Sequence, residues 1–409
     1  MNVTITPALL KGTITPPPSK SQAHRLIIAA ALSDGVCRLS NVELSQDIQA
    51  TLRCMRTLNA DASSDGTVIR GCNLVDGFEV PPPETMDCGE SGSTLRFLIP
   101  VALALQGGGK FTGHGRLMER PQGPYFDLFR EKGIACSLED GVLTVSGKLT
   151  PGRYALPGDV SSQFVTGLLY ALPLLEGDSE IHLTTGLESR GYVDMTLDAL
   201  AQFGVSVDYD GDRLFRVPGN QAYRHRDLAI EGDWSNAAFW YAAISAGCGV
   251  ELEGLNAFSV QGDMRIVPCF VKLQGEGPVE LDVSQCPDLV PPLAAMAALR
   301  AGEETRIVNA ARLRMKESDR LFTVAEVLTA LGADVEEHQD FLVIRGKAGL
   351  PGGVTVSGHN DHRIAMMAAI AAARCERPVT ITGAECVEKS YPRFWEDYEK
   401  LGGRLVRSM

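Results

Sequence analysis

The sequence predicts an α/β protein of two domains, assembled from a repeated βαβαββ-sized unit with buried helices. Three features predict it. A helix end, a Gly-like stop, a short strand, a turn and a second strand recur at roughly seventy-residue spacing, too long for a common solenoid and suited to a βαβαββ unit. A second kind of helix, polar only at its start and apolar beyond, alternates with these. Two stretches, Pro16-Pro17-Pro18 and Ile230-Glu231-Gly232-Asp233-Trp234-Ser235, read as crossings between domains. With hinges at both, the N-terminal strand around Val3 and Ile5 joins the C-terminal half. Residues 1–16 and 230–409 then form one domain, and 17–229 an inserted one.

In chain order, Thr15 to Pro18 is held extended by its prolines, which cannot continue a helix. A helix follows, with Ser19 or Ser21 as candidate N-cap, Ala23, Leu26, Ile27 and Ala30 as its apolar face, and Asp34-Gly35 as its stop. The helix-end unit then appears at Leu58-Asn59-Ala60-Asp61, Lys132-Gly133-Ile134-Ala135, Phe203-Gly204-Val205, Leu331-Gly332-Ala333 and Leu401-Gly402-Gly403. A weaker copy lies near Leu273-Gln274-Gly275. The apolar helices start at Ser91-Gly92-Ser93-Thr94, Ser161-Ser162-Gln163, Ser235-Asn236 and Asn360-Asp361. Helices apolar all round belong in the interior.

The chain has 409 residues and a formal charge of −13, which argues against a general nucleic-acid binder. Any anion site must be a local concentration of cations. The ten cysteines form no C-x-x-C pair and no zinc spacing, and the seven histidines show no close metal-ligand spacing. The start of the chain lacks the pattern of a signal peptide and no apolar run is long enough to span a membrane, so a cytoplasmic protein is expected.

Cations gather beside the small-residue helix starts. Lys20 and Arg25 flank the first, where the helix dipole favours anions instead. A docked phosphate or carboxylate would account for them. Gly113 to Pro121 is a Gly/Pro-bounded loop with Arg116 and Arg120. Arg312 to Phe322 reads as a helix start with Lys316 and Arg320 on one face and Glu317 beside it. Arg363 lies in the first turn of an apolar helix, and Lys389 in a turn before the last one. Each alone is an ordinary solvated turn or salt-bridged surface helix. Five together favour a polyanion site between domains.

These residues resemble the enolpyruvyl transferase family, in the branch acting on shikimate-3-phosphate, along essentially the whole chain. The anchors are Pro18-Ser19-Lys20-Ser21 with Arg25, Cys88 to Arg96, Arg116 to Pro121, Ser161 to Phe164, Pro287-Asp288, Lys316 to Arg320, Asp361-His362-Arg363 and Lys389 to Pro392. The resemblance implies a two-domain inside-out α/β barrel, each domain holding three βαβαββ repeats with buried helices, and the active site in the cleft between domains. It implies that shikimate-3-phosphate meets Lys20, Ser21, Arg25, Ser161, Ser162, Gln163, Ser189, Asp288 and Lys316. Phosphoenolpyruvate would meet Lys20, Gly92, Arg116, Gln163, Arg320, Arg363 and Lys389. Asp288 resembles the family's base, Glu317 is the proton-shuttle candidate, and Lys20 assists. The implied reaction is addition then elimination without metal or organic cofactor, in a monomer whose partners are small molecules. The family often has Asn, Thr and Asn where this chain has Glu90, Ser93 and Arg312.

Three rivals are weighed against this. The sister transferase acting on UDP-N-acetylglucosamine usually carries Cys in the loop matching 110–121, which has none here. Two-domain anion-binding proteins without chemistry are typically exported. An RNA-end-processing enzyme would want a basic patch with interleaved aromatics.

Overall fold

In this computed structural model, which describes residues 1–72, 74 and 84–408, helices of two kinds alternate along the chain. The first kind follows a strand that pairs in parallel, and four of the six join two strands that pair with each other. It comprises α1 (Lys20–Ala31), α3 (Gly92–Gln106), α5 (Ser162–Ala171), α7 (Trp234–Ser245), α9 (Val290–Ala298) and α11 (His362–Ala372), and it is buried almost throughout. The second kind leads out of each parallel pair and buries only part of its surface. It comprises α2 (Gln46–Thr57), α4 (Gly123–Glu131), α6 (Arg190–Gln202), α8 (Ile266–Leu273), α10 (Arg320–Leu331) and α12 (Phe394–Lys400). The first kind owes its burial to sequences without a polar face, the second to an apolar stripe at helical period.

The chain divides into two compact units: Met1–Ser19 with Gly232–Met409, and Lys20–Glu231. Each has its own hydrophobic core. The inserted unit carries three four-stranded sheets of one design. In the second of them Thr85–Asp87 runs parallel to Gly108–Thr112, which pairs antiparallel with Val142–Ser146, which pairs in turn with Ala135–Glu139. Asp140 and Gly141 turn that hairpin with φ of 49° and 75°, the left-handed pair that a two-residue turn needs. The third sheet repeats the order from Gly152–Leu156 to Leu214–Val217. The first takes its outer strand, Leu228–Ala229, from the far end of the unit.

In the other unit, Val279–Asp282, Glu304–Val308, Asp334–Glu337 and Leu342–Arg345 form the same arrangement. A further sheet sets the N-terminal strand Asn2–Thr6 between Val379–Thr382 and Arg404–Ser408. The sixth copy is short. Lys11–Ile14 pairs with Gly249–Leu252, but only residues 274–278 separate α8 from the next strand, and no hairpin forms. That shortening explains why this copy is the weak one in sequence. Among the described residues the sheets stay separate and no barrel of strands closes.

Candidate active site

In the inserted unit the starts of α1, α3 and α5 carry the residues expected to bind anions. α1 begins at Lys20, whose Nζ donates to Asp47 Oδ2 at 2.8 Å. Asp47 sits in the first turn of α2, capped by Ser45, where a carboxylate complements the helix dipole. Ser21 follows on the same turn, partly exposed. Arg25 is buried: its nitrogens donate to Thr196 Oγ1, the Ser21 carbonyl and the Tyr192 carbonyl, and its guanidinium stacks 5.2 Å from the Phe97 ring centre. Arg25 thereby ties α1 to α6.

Ser91 caps α3 by accepting from Thr94 N–H, and Gly92 opens the helix. A Cβ on Gly92 would lie 2.8 Å from Arg120 Nη1, so the lack of a side chain lets that guanidinium settle on the backbone. Arg120 is buried, whereas Arg116 is half exposed and pairs only loosely with Glu119 at 4.0 Å. The cause is local. Leu117–Glu119 form a 3₁₀ turn, in which residues three apart share a face. Buried Leu117 therefore carries Arg120 inward and leaves Arg116 with Glu119 outside. Of this loop's two arginines, sequence reading carried only Arg116 into the expected site, and the signal for the inward turn of Arg120 is the apolar Leu117 three positions earlier.

Ser161 caps α5 by accepting from Gln163 N–H, with Ser162 buried behind it. The Gln163 amide bridges two helices: its Oε1 accepts from Arg96 Nη1 at 2.8 Å and its Nε2 donates to Ser93 Oγ at 3.1 Å. Arg96 also donates to the Pro121 carbonyl and lies over the Phe164 ring. Arg96 thus holds Gln163, and through it Ser93, against the Pro121–Gln122 stretch that follows Arg120; sequence reading quoted Arg96 in a motif without giving it a role. Ser189, at the start of α6, is buried in a left-handed conformation, φ 55°, uncommon for a residue with a side chain.

In the other unit Asp288, in the turn Pro287–Leu289 leading into α9, gathers three cations. Arg320 Nη1 lies 2.9 Å from its Oδ1, Lys316 Nζ 3.2 Å from the same oxygen, and Arg363 Nη2 3.3 Å from Oδ2. Burial alone would push the Asp288 carboxyl up, but Lys316, Arg363 and Arg320 together hold it well below the usual carboxylate range. Burial lowers the Lys316 ammonium in turn, partly offset by Asp288. Arg320 is almost fully enclosed. It donates from Nε to Asp361 Oδ2 at 2.8 Å and from Nη2 to Glu317 Oε2 at 2.7 Å. Asp361 also caps α11 and accepts from Ser318.

The structure corrects one sequence expectation here. Lys316 and Arg320 do not share a helix face, because Asp319 caps α10 and the helix begins only at Arg320. Lys316 sits in extended backbone just before it. They converge through Asp288 instead. Lys389, buried at the end of a 3₁₀ turn, donates to the Asn360 carbonyl at 2.6 Å. His359 and Asn360 both have φ near +50°, which turns that carbonyl toward it.

Each unit therefore presents cations beside helix starts, and one unit adds three carboxylates, Asp288, Glu317 and Asp361, within the same ion network. The family described as EPSP synthase (3-phosphoshikimate 1-carboxyvinyltransferase) matches residues 5–398. The 3-phosphoshikimate 1-carboxyvinyltransferase of Clostridium kluyveri is 47% identical over 423 residues, covering 98% of both chains. That of Clostridium acetobutylicum is 47% identical over 422 residues, covering 98% of this chain and 97% of the relative. Among solved structures, an EPSP synthase from Acinetobacter baumannii superposes with a TM-score of 0.80 at 25% identity, covering 100% of both chains. The enolpyruvyl transferase NikO from Streptomyces tendae shares the fold, with a TM-score of 0.77 at 17% identity over 100% of this chain and 98% of its own. With the family matched over nearly its whole length, the chain belongs to the EPSP synthase (3-phosphoshikimate 1-carboxyvinyltransferase) family.

Proposed function

We propose that this protein transfers the enolpyruvyl group of phosphoenolpyruvate to the 5-hydroxyl of shikimate-3-phosphate, releasing phosphate, on the route to chorismate and the aromatic amino acids. The observation that carries the reading is the Asp288–Arg320–Glu317 network: a base candidate and an acid candidate joined by one buried guanidinium. The 5-hydroxyl oxygen attacks C2 of phosphoenolpyruvate as C3 gains a proton, giving a tetrahedral intermediate. C3 then loses a proton as the C2–O bond to phosphate breaks. Asp288 takes the hydroxyl proton, Glu317 serves C3, and Lys20 assists.

The ion network supplies a reason for Asp288 to act only with substrate present. Arg320 and Arg363 turn to the carboxylate and phosphate of phosphoenolpyruvate, with Lys389, Gly92 and Gln163 completing its contacts. Losing those two cations raises the basicity of Asp288. Arg120 joins this set on the strength of its contact with Gly92, ahead of the more exposed Arg116. Shikimate-3-phosphate takes Ser21, Arg25, Ser189 and Lys316, with its phosphate on Ser161 and Ser162 at the start of α5. The cations stabilise charge that develops on the intermediate. No described helix is long and apolar enough to cross a membrane, and all ten thiols are free. We place the protein in the cytoplasm as a monomer.

The test is phosphate release with shikimate-3-phosphate plus phosphoenolpyruvate, against each alone and against UDP-N-acetylglucosamine as acceptor. Release only with shikimate-3-phosphate is expected. Release only with the nucleotide sugar would replace the acceptor, and anion binding without release would leave a binding protein.

A further inference from the structure

A chain of four side chains runs through the inserted unit from α1 to the start of α3. His24 Nδ1 lies 2.8 Å from Thr51 Oγ1 on α2, and Thr51 Oγ1 lies 2.7 Å from Thr94 Oγ1 on α3. Thr94 Oγ1 donates to Ser91 Oγ at 2.8 Å, and Thr94 N–H reaches the same oxygen at 3.1 Å. All four residues are at most 1% exposed. The proton order follows from one end. Thr94 spends its hydroxyl proton on Ser91, so it must accept from Thr51. Thr51 then spends its own proton on Thr94 at 2.7 Å rather than on the Asp47 carbonyl at 3.5 Å, so it must accept from His24. His24 Nδ1 therefore carries a proton.

The other ring nitrogen agrees. His24 Nε2 is buried with no partner, which suits a bare lone pair better than an N–H. Burial, followed by Lys20 and Arg25, holds the imidazole well below its usual range, so it is neutral. Ser91 accepts twice, and its own proton is left to point out of the chain.

We infer that His24 is a positioning residue for the phosphoenolpyruvate cradle: acting through Thr51 and Thr94, it fixes Ser91 and the start of α3 against the helix that carries Lys20. The inference rests on the reading that phosphoenolpyruvate docks at Gly92. Lys20 and His24 are one turn apart on α1, so the same helix supplies a cation to the ligand and a brace to the backbone that receives it.

Two measurements decide it. Long-range proton–nitrogen spectra of the ¹⁵N-histidine-labelled protein, with the His24 signal identified by its loss in His24→Asn, report the tautomer directly. The Nδ1–H form is expected, and the Nε2–H form overturns the relay. In kinetics, Thr51→Val keeps shape and removes the hydroxyl. It and His24→Leu should each raise KM for phosphoenolpyruvate about tenfold, the loss of one neutral hydrogen bond, with KM for shikimate-3-phosphate within about twofold. His24→Asn, whose amide can donate from the Nδ1 position, should restore most of the loss. Equal shifts in both KM values, or none in Thr51→Val, overturn the inference. A wild-type protein without turnover would sink the functional reading instead, while the tautomer still decides the relay.

Discussion

Asp361 is fully buried and takes two nitrogens of a guanidinium, that of Arg320, which is itself 1% exposed. Removing Asp361 leaves Arg320 with Asp288 and Glu317 but strips its enclosed Nε of the partner it has there. Asp361→Ala is expected to destabilise its unit by about 3–5 kcal/mol, read as a fall in the urea midpoint. Asp288 differs in being partly exposed and in serving three cations. Asp288→Asn should lower kcat by about 10²–10⁴ while the protein stays folded by circular dichroism. Its acid dependence has a definite sign. The folded-state pKa is depressed, so Asp288 contributes stability above the unfolded value of about 3.9 that is lost as pH falls through the folded value. The stability gap between wild type and Asp288→Asn should therefore close below about pH 4. A gap unchanged down to pH 2 would mean that the three cations do not hold the carboxyl down.

At the scale of elements, glycine acts in two different ways on neighbouring helices. A Cβ on Gly92 would meet the end of the Arg120 side chain, which can move aside. Gly92→Ala should keep the thermal midpoint and raise KM for phosphoenolpyruvate by displacing Arg120, with little effect on shikimate-3-phosphate. A Cβ on Gly167 of α5 would lie 2.4 Å from the Arg96 carbonyl and 2.2 Å from Tyr125 Oη, packed core that cannot yield. Gly167→Ala should cost about 1–3 kcal/mol in unfolding free energy, with KM values changed only secondarily. Much of this architecture is legible in the sequence. Ser91 and Ser161 announce their helices because a side-chain oxygen is the cheapest partner for a free N–H, and Asp140-Gly141 announces its hairpin by its φ requirement. Other features are not legible. Asp233 and Asp361, not the neighbouring Ser235 and Asn360, cap α7 and α11, since several polar residues in a row leave the cap ambiguous. Arg116 and Arg120 are alike in composition, and only the 3₁₀ turn separates them. The pairing of Arg363 with Asp288 spans 75 residues, beyond any local pattern.

For the whole molecule, the decisive strand is Asn2–Thr6. It buries Val3 and Ile5 completely, each worth about 1.5–3 kcal/mol relative to exposure, and it is one of the two inner strands of its sheet. Deleting residues 1–10 should abolish the cooperative unfolding of its unit in hydrogen exchange. Protection within Lys20–Glu231, which has a separate core, should persist. Loss of protection in both would show that the inserted unit depends on the other for stability. The same strand sets a clock on biosynthesis. Thr4 meets Thr380 across a separation of 376 residues, so at about 5–20 residues per second the ribosome needs roughly 20–75 s to deliver its partner. Throughout that wait Val3 and Ile5 stay unsheltered while the inserted unit emerges whole and can collapse behind them. The inserted unit can thus mature before the strand ahead of it finds its partner, so the two units complete their folds at different times during synthesis.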